Sequence, residues 1–478
     1  MGGAHTLARL AEEALERHGD VPAVCFEGFW HTSSELHERA TRVAGGLGRS
    51  IRPGDRVVVL MENHPDVGVV YHAAWRAGAV VTPVIFLLPP EELRRIVADS
   101  RASVVVTSDT FRSTVEDAAP GVRIATPAEL ADADPAPIVP RDDGDLAALI
   151  YTGGTTGRAK GVTLSHDNLW HAGRAGHDHG YVPGIRRGLT SLPLSHAFGL
   201  LVLAASLHAR KPTATVLMRW FDPTAWLELA QEHRSQISAV VPSMLQLLLA
   251  EPLEDYDLSE LRYVVCGAAP LPPETAAEFE RRVPGVEIRE GYGLSECTAI
   301  VSGNPPGRVR RGSVGLPVPG VEVRIDAPPG EVGEICVRSP TVMVGYWDAP
   351  DATAETVRDG WLHTGDLGRL DDDGYLYVVD RAKDLIIRGG FNVFPRDVEE
   401  ALLEHPAVAS AAVVGRPDAT HGEEVVAFVT GDVSADDLVA FARQRLGGYK
   451  YPREVHILDA LPLTPIGKVD RKALRARL

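Results

Sequence analysis

Cysteine is scarce in this chain: four residues, at 25, 266, 297 and 336, with no CxxC pair and no dense spacing. That excludes a disulfide framework and reads as free thiols in a reducing cytoplasm. Long apolar runs are missing too. Ala77–Leu88 and Ala197–Leu207 are the longest, well short of the roughly 20 residues that cross a bilayer, so no integral membrane segment is expected. Met1-Gly2-Gly3-Ala4-His5 has no basic stretch ahead of an apolar core, hence no visible secretory signal. Positive charge is in deficit. The 48 Lys+Arg against 65 Asp+Glu give 48 − 65 = −17, which argues against nucleic-acid partners and anionic membrane surfaces. What is left is an acidic globular protein, expected in the cytoplasm. Its 478 residues, at about 150 per domain, leave room for two or three domains.

Apolar β-branched runs alternate with helical stretches through the first half. Arg56–Met61, Val80–Phe86 and Ser103–Thr107 read as buried strands; Leu7–Arg17 and Ser34–Leu47 read as helices, with Thr32, Ser33 and Ser34 as candidate N-caps. That alternation predicts an α/β architecture with parallel sheets. From about Val314 short strands separated by Gly and Pro take over, such as Val321–Ile325, Glu334–Arg338 and Tyr375–Val379, predicting a β subdomain. A boundary is expected at 380/381. Beyond it lie strand-like Leu385–Ile387, a helix Arg396–Leu403, strands Ala409–Val414 and Val425–Val429, and a helix from Ala435: a small α+β domain. Ala131–Pro140 reads as a surface connector.

The strongest local signal is Asp145–Leu164, in which an apolar strand runs into Tyr151-Thr152-Gly153-Gly154-Thr155-Thr156-Gly157-Arg158-Ala159-Lys160-Gly161. Glycines there let backbone N–H groups reach phosphate oxygens without Cβ obstruction, and the Thr hydroxyls add donors. It is not a Walker A loop, because Gly161 follows Lys160 where Ser or Thr is required. Gly291-Tyr292-Gly293-Leu294-Ser295-Glu296 begins like a dinucleotide fingerprint but has Glu296 where the third Gly belongs. His166, His171, His177 and His179 lack zinc spacing and fit a polar helix after the loop. No G-x-S-x-G occurs, so a nucleophile-elbow hydrolase has no signature.

YTGGTTGRAKG resembles the phosphate loop of the adenylate-forming superfamily, which includes acyl- and aryl-CoA synthetases, luciferases and peptide-synthetase adenylation domains. Gly153 stands where that pattern has Ser and Ala159 where it has Pro. Further motifs of the family recur in order. Pro193–Leu200 resembles the His/aromatic segment beside the acyl pocket, Gly267-Ala268-Ala269-Pro270 the turn beside adenine, and Gly291–Glu296 the GYGxTE motif with Ser295 for Thr. His363-Thr364-Gly365-Asp366 resembles the ribose motif, Asp380–Asp384 the interdomain hinge, and Pro462–Lys468 the C-terminal lysine loop. The resemblance covers about Leu7 to Leu474.

It implies a large N-terminal domain of two α/β layers plus a β subdomain, followed by a small mobile α+β domain swinging at Lys383. It also implies ATP-dependent carboxylate–CoA ligation in two steps. An acid and MgATP give an acyl-adenylate and pyrophosphate, and the thiol of coenzyme A then displaces AMP. The alternative acceptor is the phosphopantetheine of an acyl-carrier protein. The segment Val342–Asp366 resembles CoA synthetases and the chain ends at Leu478 behind the lysine loop, so CoA is the expected acceptor. The protein is expected to act as a monomer or homodimer.

The implied roles have chemical reasons. Both reactants are anions, so charge must be neutralised where the carboxylate meets the α-phosphate. Lys468 and His196 are the candidate catalytic residues, Lys468 bridging carboxylate and phosphate. Glu296 is the candidate Mg²⁺ ligand, a hard carboxylate for a hard cation. Thr152, Gly153, Gly154, Thr155, Thr156, Gly157 and Lys160 would hold phosphates. Gly267, Ala268, Ala269, Gly291, Tyr292, Gly293 and Ser295 would line the nucleotide, Tyr292 stacking on adenine. Asp366 would accept the ribose hydroxyls with Arg381 assisting. Gly389, Gly390 and Phe391 would face the pantetheine arm. The implied acyl pocket comprises His196, Phe198, Ser243, Cys266, Gly291 and Cys297. The pocket segments carry no Lys or Arg, so a medium-chain or aromatic monocarboxylate with an uncharged tail is expected; the opposing reading is a charged group reaching in from another segment, such as Arg219 or Arg308.

Overall fold

The structure is a computed structural model and describes residues 3–152, 160–381, 383–418, 420–446, 448–464 and 468–478. The fold is mixed α/β and divides into two compact units, one formed by Met1–Val323 with Val337–Leu362, the other by Arg324–Cys336 with His363–Leu478. Residues 363–380 therefore group with the C-terminal residues, whereas the sequence boundary was expected at 380/381.

Unit 1 contains two large sheets. One runs in the order Gly345–Tyr346, Lys160–Ser165, Leu146–Thr152, Val80–Pro83, Arg56–Leu60, Ala102–Thr107, Arg123–Ala125. Its five strands from Leu146–Thr152 to Arg123–Ala125 are parallel, and Lys160–Ser165 and Gly345–Tyr346 are antiparallel additions at one edge. Val57, Val58, Val59, Val104, Val105 and Val106 have no exposed surface. Both faces are covered, which is why these strands read as unbroken apolar runs. The second sheet has nine strands and a parallel centre built from Pro22–Phe26, Ala214–Leu217, Arg187–Thr190, Ile237–Val240, Tyr263–Cys266 and Glu287–Tyr292.

Local chemistry sets the boundaries. The helix Ser33–Gly48 starts where Thr32 accepts from the Glu35 N–H and Glu35 returns a bond to the Thr32 N–H, a capping box. The helix His166–Gly180 opens with the same device between Ser165 and Asn168, so the four histidines fall on or at the start of one polar helix. Buried Asn63 ties the sheets together: its amide donates to the Leu192 and Met218 carbonyls at 3.0 and 3.1 Å and accepts from the Leu194 N–H at 2.9 Å. That places the loop ahead of the helix Ala197–Leu207.

Unit 2 is built on the antiparallel strands Val408–Asp418 and Gly422–Gly431, with Ile386–Arg388 and Phe391–Val393 on one side and Glu454–Ile457 added parallel. Val413, Val425, Ala427 and Val429 pack with Leu402 and Leu438 on one face, and Ala412, Val414, Val426 and Phe428 pack with Leu474 on the other. Two buried faces again explain an uninterrupted apolar reading. The strand Phe391–Val393 was not foreseen. Gly389 and Gly390 have φ of +60° and +83°, the two left-handed positions of a tight hairpin turn, so a glycine pair expected to give passage room also folds the chain back.

Candidate active site

In unit 1 the phosphate-loop residues Gly153, Gly154, Thr155, Thr156 and Gly157 lie outside the described residues. The strands that deliver the loop are described. Thr152 pairs with Lys160 across the two strands, and its hydroxyl donates to the Lys160 carbonyl at 3.5 Å. The segment 340–347 is strapped to the exit strand. Val344 N–H donates to the Thr163 carbonyl at 2.9 Å, the Thr163 hydroxyl to the Gly345 carbonyl at 2.7 Å, and Trp347 N–H to the Gly161 carbonyl at 2.7 Å.

The same segment holds the Glu296 turn. Met343 N–H donates to the Glu296 carbonyl at 2.8 Å, and the Thr298 hydroxyl to the Thr341 carbonyl at 2.7 Å. Tyr346 closes the set: its hydroxyl donates to Glu296 Oε1 at 2.9 Å and its ring lies 4.8 Å from Lys160 Nζ. Burial, followed by the Glu296 charge, raises the Tyr346 phenol well above its usual value, so it remains a donor. Lys160 and Glu296 are thus joined through one aromatic residue. Lys160 and Glu296 are both candidates named from the sequence; Tyr346 is not, although it lies in the segment Val342–Asp366 that resembles CoA synthetases. A tyrosine on a two-residue strand, Gly345–Tyr346, carries no motif of its own.

The other nucleotide-site residues of unit 1 sit at the ends of two parallel strands. Tyr263–Cys266 leads into Gly267-Ala268-Ala269, and Glu287–Tyr292 ends in the Gly291–Glu296 motif. Ala268 has φ +69°, a left-handed conformation costly for a residue with a Cβ and often kept at functional turns. A Cβ on Gly293 would lie 2.1 Å from the Ala299 carbonyl oxygen, and one on Gly267 would lie 3.0 Å from the Gly291 carbonyl. Gly293 is therefore demanded by backbone approach alone. A Cβ on Gly291 would meet the Ser302 carbonyl oxygen at 3.3 Å, so strand proximity also favours glycine there. Tyr292 and Ser295 are half-buried, and Ser295 opens the short 3₁₀ turn Ser295–Cys297.

Of the acyl-pocket candidates, Cys266 and Cys297 are fully buried, and burial raises the Cys266 thiol far above its ordinary value. Phe198 and Ser243 are half-buried. His196 caps the helix Ala197–Leu207: its Nδ1 accepts from the Phe198 N–H at 3.3 Å, which leaves the proton of the neutral ring on Nε2. Arg219 is committed elsewhere. Its guanidinium bonds Glu27 at 2.9 Å and buried Glu62 at 2.7 Å. A shallow cavity of about 850 Å³ in unit 1, lined by Arg141, Asp145, Thr163 and residues 343–350, meets this site at Tyr346.

Unit 2 brings Lys468, Arg381, Asp366 and Lys383 together, from segments that the sequence separates by about a hundred residues. Asp366 is buried and Arg381 Nε lies 3.0 Å from its Oδ1 across the paired strands Trp361–Leu370 and Leu376–Arg381. Lys468 is anchored through its backbone to Thr464. Its N–H donates to the Thr464 hydroxyl at 3.1 Å and its carbonyl accepts from the Thr464 N–H at 2.6 Å. Burial depresses the Lys468 ammonium below its usual value; nearby Arg381 adds to this and Asp366 opposes it. Lys383 is depressed for the same first reason, burial, with Arg381 again adding. Asp366 therefore acts on both lysines, and Lys383 has in addition the buried carboxylate of Asp384 and the guanidinium of Arg475 beside it. Gly389 and Gly390 have open space where a Cβ would go (His421 comes no nearer than 3.8 Å to the first), and exposed Phe391 stacks on Tyr449 with centroids 4.8 Å apart.

A family model for the AMP-binding enzyme matches residues 11–347, and one for the AMP-binding enzyme C-terminal domain matches 397–468. The chain belongs to the AMP-binding enzyme family. Relatives extend over nearly its whole length. It is 39% identical over 465 residues to a feruloyl-CoA synthase from Amycolatopsis sp, covering 93% of this chain and 94% of the relative. It is 34% identical to a long-chain-fatty-acid–CoA ligase of Escherichia coli, covering 98% and 94%. Among solved structures, the o-succinylbenzoate coenzyme A synthetase of Bacillus subtilis in complex with ATP and magnesium ion superposes with a TM-score of 0.88 at 30% identity, over 98% and 99% of the two chains. This AMP-binding enzyme shares its two-part organisation with those proteins, a large N-terminal domain and a smaller C-terminal one.

Proposed function

We propose that the protein is an AMP-forming acid–CoA ligase acting on a monocarboxylate with an uncharged tail, aromatic or medium-chain aliphatic. The observation that carries the ligase reading is end-to-end similarity to acyl- and aryl-CoA ligases with every charged motif residue retained: Lys160, Glu296, Asp366, Arg381 and Lys468. Feruloyl-CoA synthase, as a relative, favours the aryl end of the substrate range.

Glu296 fits Mg²⁺: it is a hard oxygen donor, half-buried, oriented by the Tyr346 hydroxyl. The ion, when bound, offsets phosphate charge. Lys160 adds a fixed positive charge beside the loop. Asp366 accepts the ribose hydroxyls while Arg381 holds its carboxylate in place. Lys468 supplies charge at the α-phosphate as the carboxylate oxygen forms its bond to phosphorus and pyrophosphate departs. In the second step the CoA thiol, losing its proton, attacks the acyl carbon and AMP leaves. Lys383 is the hinge in this reading. Asp384 N–H donates to the Arg381 carbonyl at 3.0 Å and Arg475 bonds Asp384 at 2.7 Å, so Asp384 is anchored on the C-terminal side of Lys383. Lys383→Pro, which fixes φ, should depress thioester formation more than pyrophosphate release; equal rates in both steps would remove the hinge role.

Charge argues for the neutral tail. The pocket segments hold no Lys or Arg, and Arg219 is bound by Glu27 and Glu62. A second substrate carboxylate would lie there unpaired, at a cost of about 3 kcal/mol or more. Incubation with ATP, Mg²⁺ and a panel of octanoate, benzoate, cinnamate, ferulate, malonate and β-alanine, followed by pyrophosphate, tests adenylation. Adding CoA or a holo carrier protein then identifies the acceptor. Highest kcat/KM on malonate or β-alanine would overturn the neutral-tail reading, and no pyrophosphate with any acid would overturn the enzyme reading.

A further inference from the structure

In unit 2, three side chains of different chemistry converge apart from the residues assigned to nucleotide. Glu334 and Cys336 stand two apart on the strand Gly333–Arg338, hence on one face, and His363 lies on the neighbouring strand Trp361–Leu370. His363 Nδ1 is 2.8 Å from Glu334 Oε2 and 3.5 Å from Cys336 Sγ, and the three ligand atoms lie within 4.8 Å of one another.

Carboxylate and thiol both approach the same ring nitrogen. A nucleophile relay would use the two nitrogens in series, one toward the thiol and one toward the acid. Convergence on Nδ1 is instead the triangle of donors around a metal. A tetrahedral zinc ion sets sulfur and nitrogen about 3.5 Å apart and nitrogen and oxygen about 3.3 Å apart. The first separation is already met, and the second needs the hydrogen bond between His363 and Glu334 to open by about half an ångström, which loss of its proton permits.

The surroundings are those of a supported site. Glu334 Oε1 accepts from the Gly365 N–H at 3.0 Å, which fixes the carboxylate from behind. Burial, with Glu334 and Asp326 adding to it, holds the Cys336 thiol above its ordinary value, and Arg324, hydrogen-bonded to the sulfur, opposes this. The His363 and Glu334 side chains keep 11% and 26% of their surface exposed while Cys336 is fully buried, so solvent reaches the group from the His363 and Glu334 side. Two other groups, His5–Asp167–His171 and Asp418–His421–Glu424, lack sulfur and would not select a thiophilic cation.

The geometry points to Glu334, Cys336 and His363 as a binding site for one zinc-class divalent cation, separate from the Mg²⁺ assigned to Glu296. Binding releases the thiol proton, the proton of the neutral His363 ring standing on Nε2 when Nδ1 is the ligand, and leaves all oxidation states unchanged.

Cobalt(II) titration of the full-length, chelator-treated protein tests this, because cobalt stands in for zinc and a thiolate ligand gives a near-ultraviolet charge-transfer band. One cobalt per chain with that band, displaced by zinc, is expected. Cys336→Ser should abolish the band, and His363→Gln, which removes a direct ligand, should weaken cobalt binding by more than the roughly 10–100-fold typical of losing a ligand's supporting partner, whereas Cys25→Ser should change neither. A rise in melting temperature with zinc, lost in Cys336→Ser, is the second readout. Absence of the band, or its survival in Cys336→Ser, would overturn the assignment.

Discussion

The two charged clusters of this enzyme are built differently. In unit 1 Glu296 and Lys160 are separated by Tyr346, which satisfies the carboxylate with a neutral donor and faces the ammonium with its ring. In unit 2 Lys468, Lys383 and Arg381 lie about Asp366, and burial together with the Arg381 charge depresses both lysines. The first cluster is balanced as it stands. The second has more positive than negative charge and is relieved by an anion. That difference marks unit 1 as a preformed support and unit 2 as the place where new negative charge is best stabilised.

Removing the excess charge should give the largest effect. Lys468→Ala is expected to slow adenylation about 10²–10⁴-fold, as for other groups that stabilise developing charge, and to spare thioester formation from supplied acyl-adenylate. Single-turnover assays of each step check this, and equal losses would reduce Lys468 to a structural role. Disturbing the balanced cluster should matter less. Tyr346→Phe keeps the ring and removes the donor to Glu296, about 1.5–3 kcal/mol for a bond to a charged group, or roughly 10–100-fold. It should appear as a raised Mg²⁺ requirement for pyrophosphate release; an unchanged Mg²⁺ titration would show that Tyr346 does not position Glu296.

Glycines sharpen the same contrast. At Gly293 an added Cβ meets the Ala299 carbonyl oxygen at 2.1 Å, so Gly293→Ala should cost about 1–3 kcal/mol of stability as overpacking does. At Gly390 nothing lies within 4 Å and only φ +83° is violated, so Gly390→Ala should cost about 1 kcal/mol. Denaturant unfolding gives both values, and the reverse order would mean that the hairpin is the tighter constraint.

Acid should divide the units more gently. In unit 1 burial lowers His72, His166 and His208 to about 4 from 6.5. The unfolded chain then binds protons that the fold refuses, so stability present above pH 6.5 falls as pH drops toward 4. In unit 2 burial raises Asp380 and Glu399. Their folded forms take up protons before the unfolded chain does, so acidification offsets loss there. Hydrogen exchange at pH 7 and pH 5 should show opening of unit 1 increase more than that of unit 2; equal increases would mean that the histidines become solvated.

Much of the architecture was legible because its determinants are local. The helix expected at Ser34–Leu47 is Ser33–Gly48, set by Thr32 and Glu35, and the strand expected at Arg56–Met61 is Arg56–Leu60. Unbroken valine runs announced strands covered on both faces. The turn into Phe391–Val393 was obscured because a glycine pair has the same sequence signature whether it opens a passage or closes a hairpin.

Sequence by itself determined which residue types are available: the motif glycines, Glu296, Asp366, Arg381 and Lys468, all in order along the chain, and the want of cations in the pocket segments. Only the tertiary structure decided their company. That Tyr346 joins Glu296 to Lys160, that Arg219 is bound by Glu27 and Glu62, and that Glu334, Cys336 and His363 share one nitrogen all depend on residues 27 to 192 positions apart. Hydrogen bonds and charge act over a few ångströms, and such distances exist only after sheets have brought remote segments together.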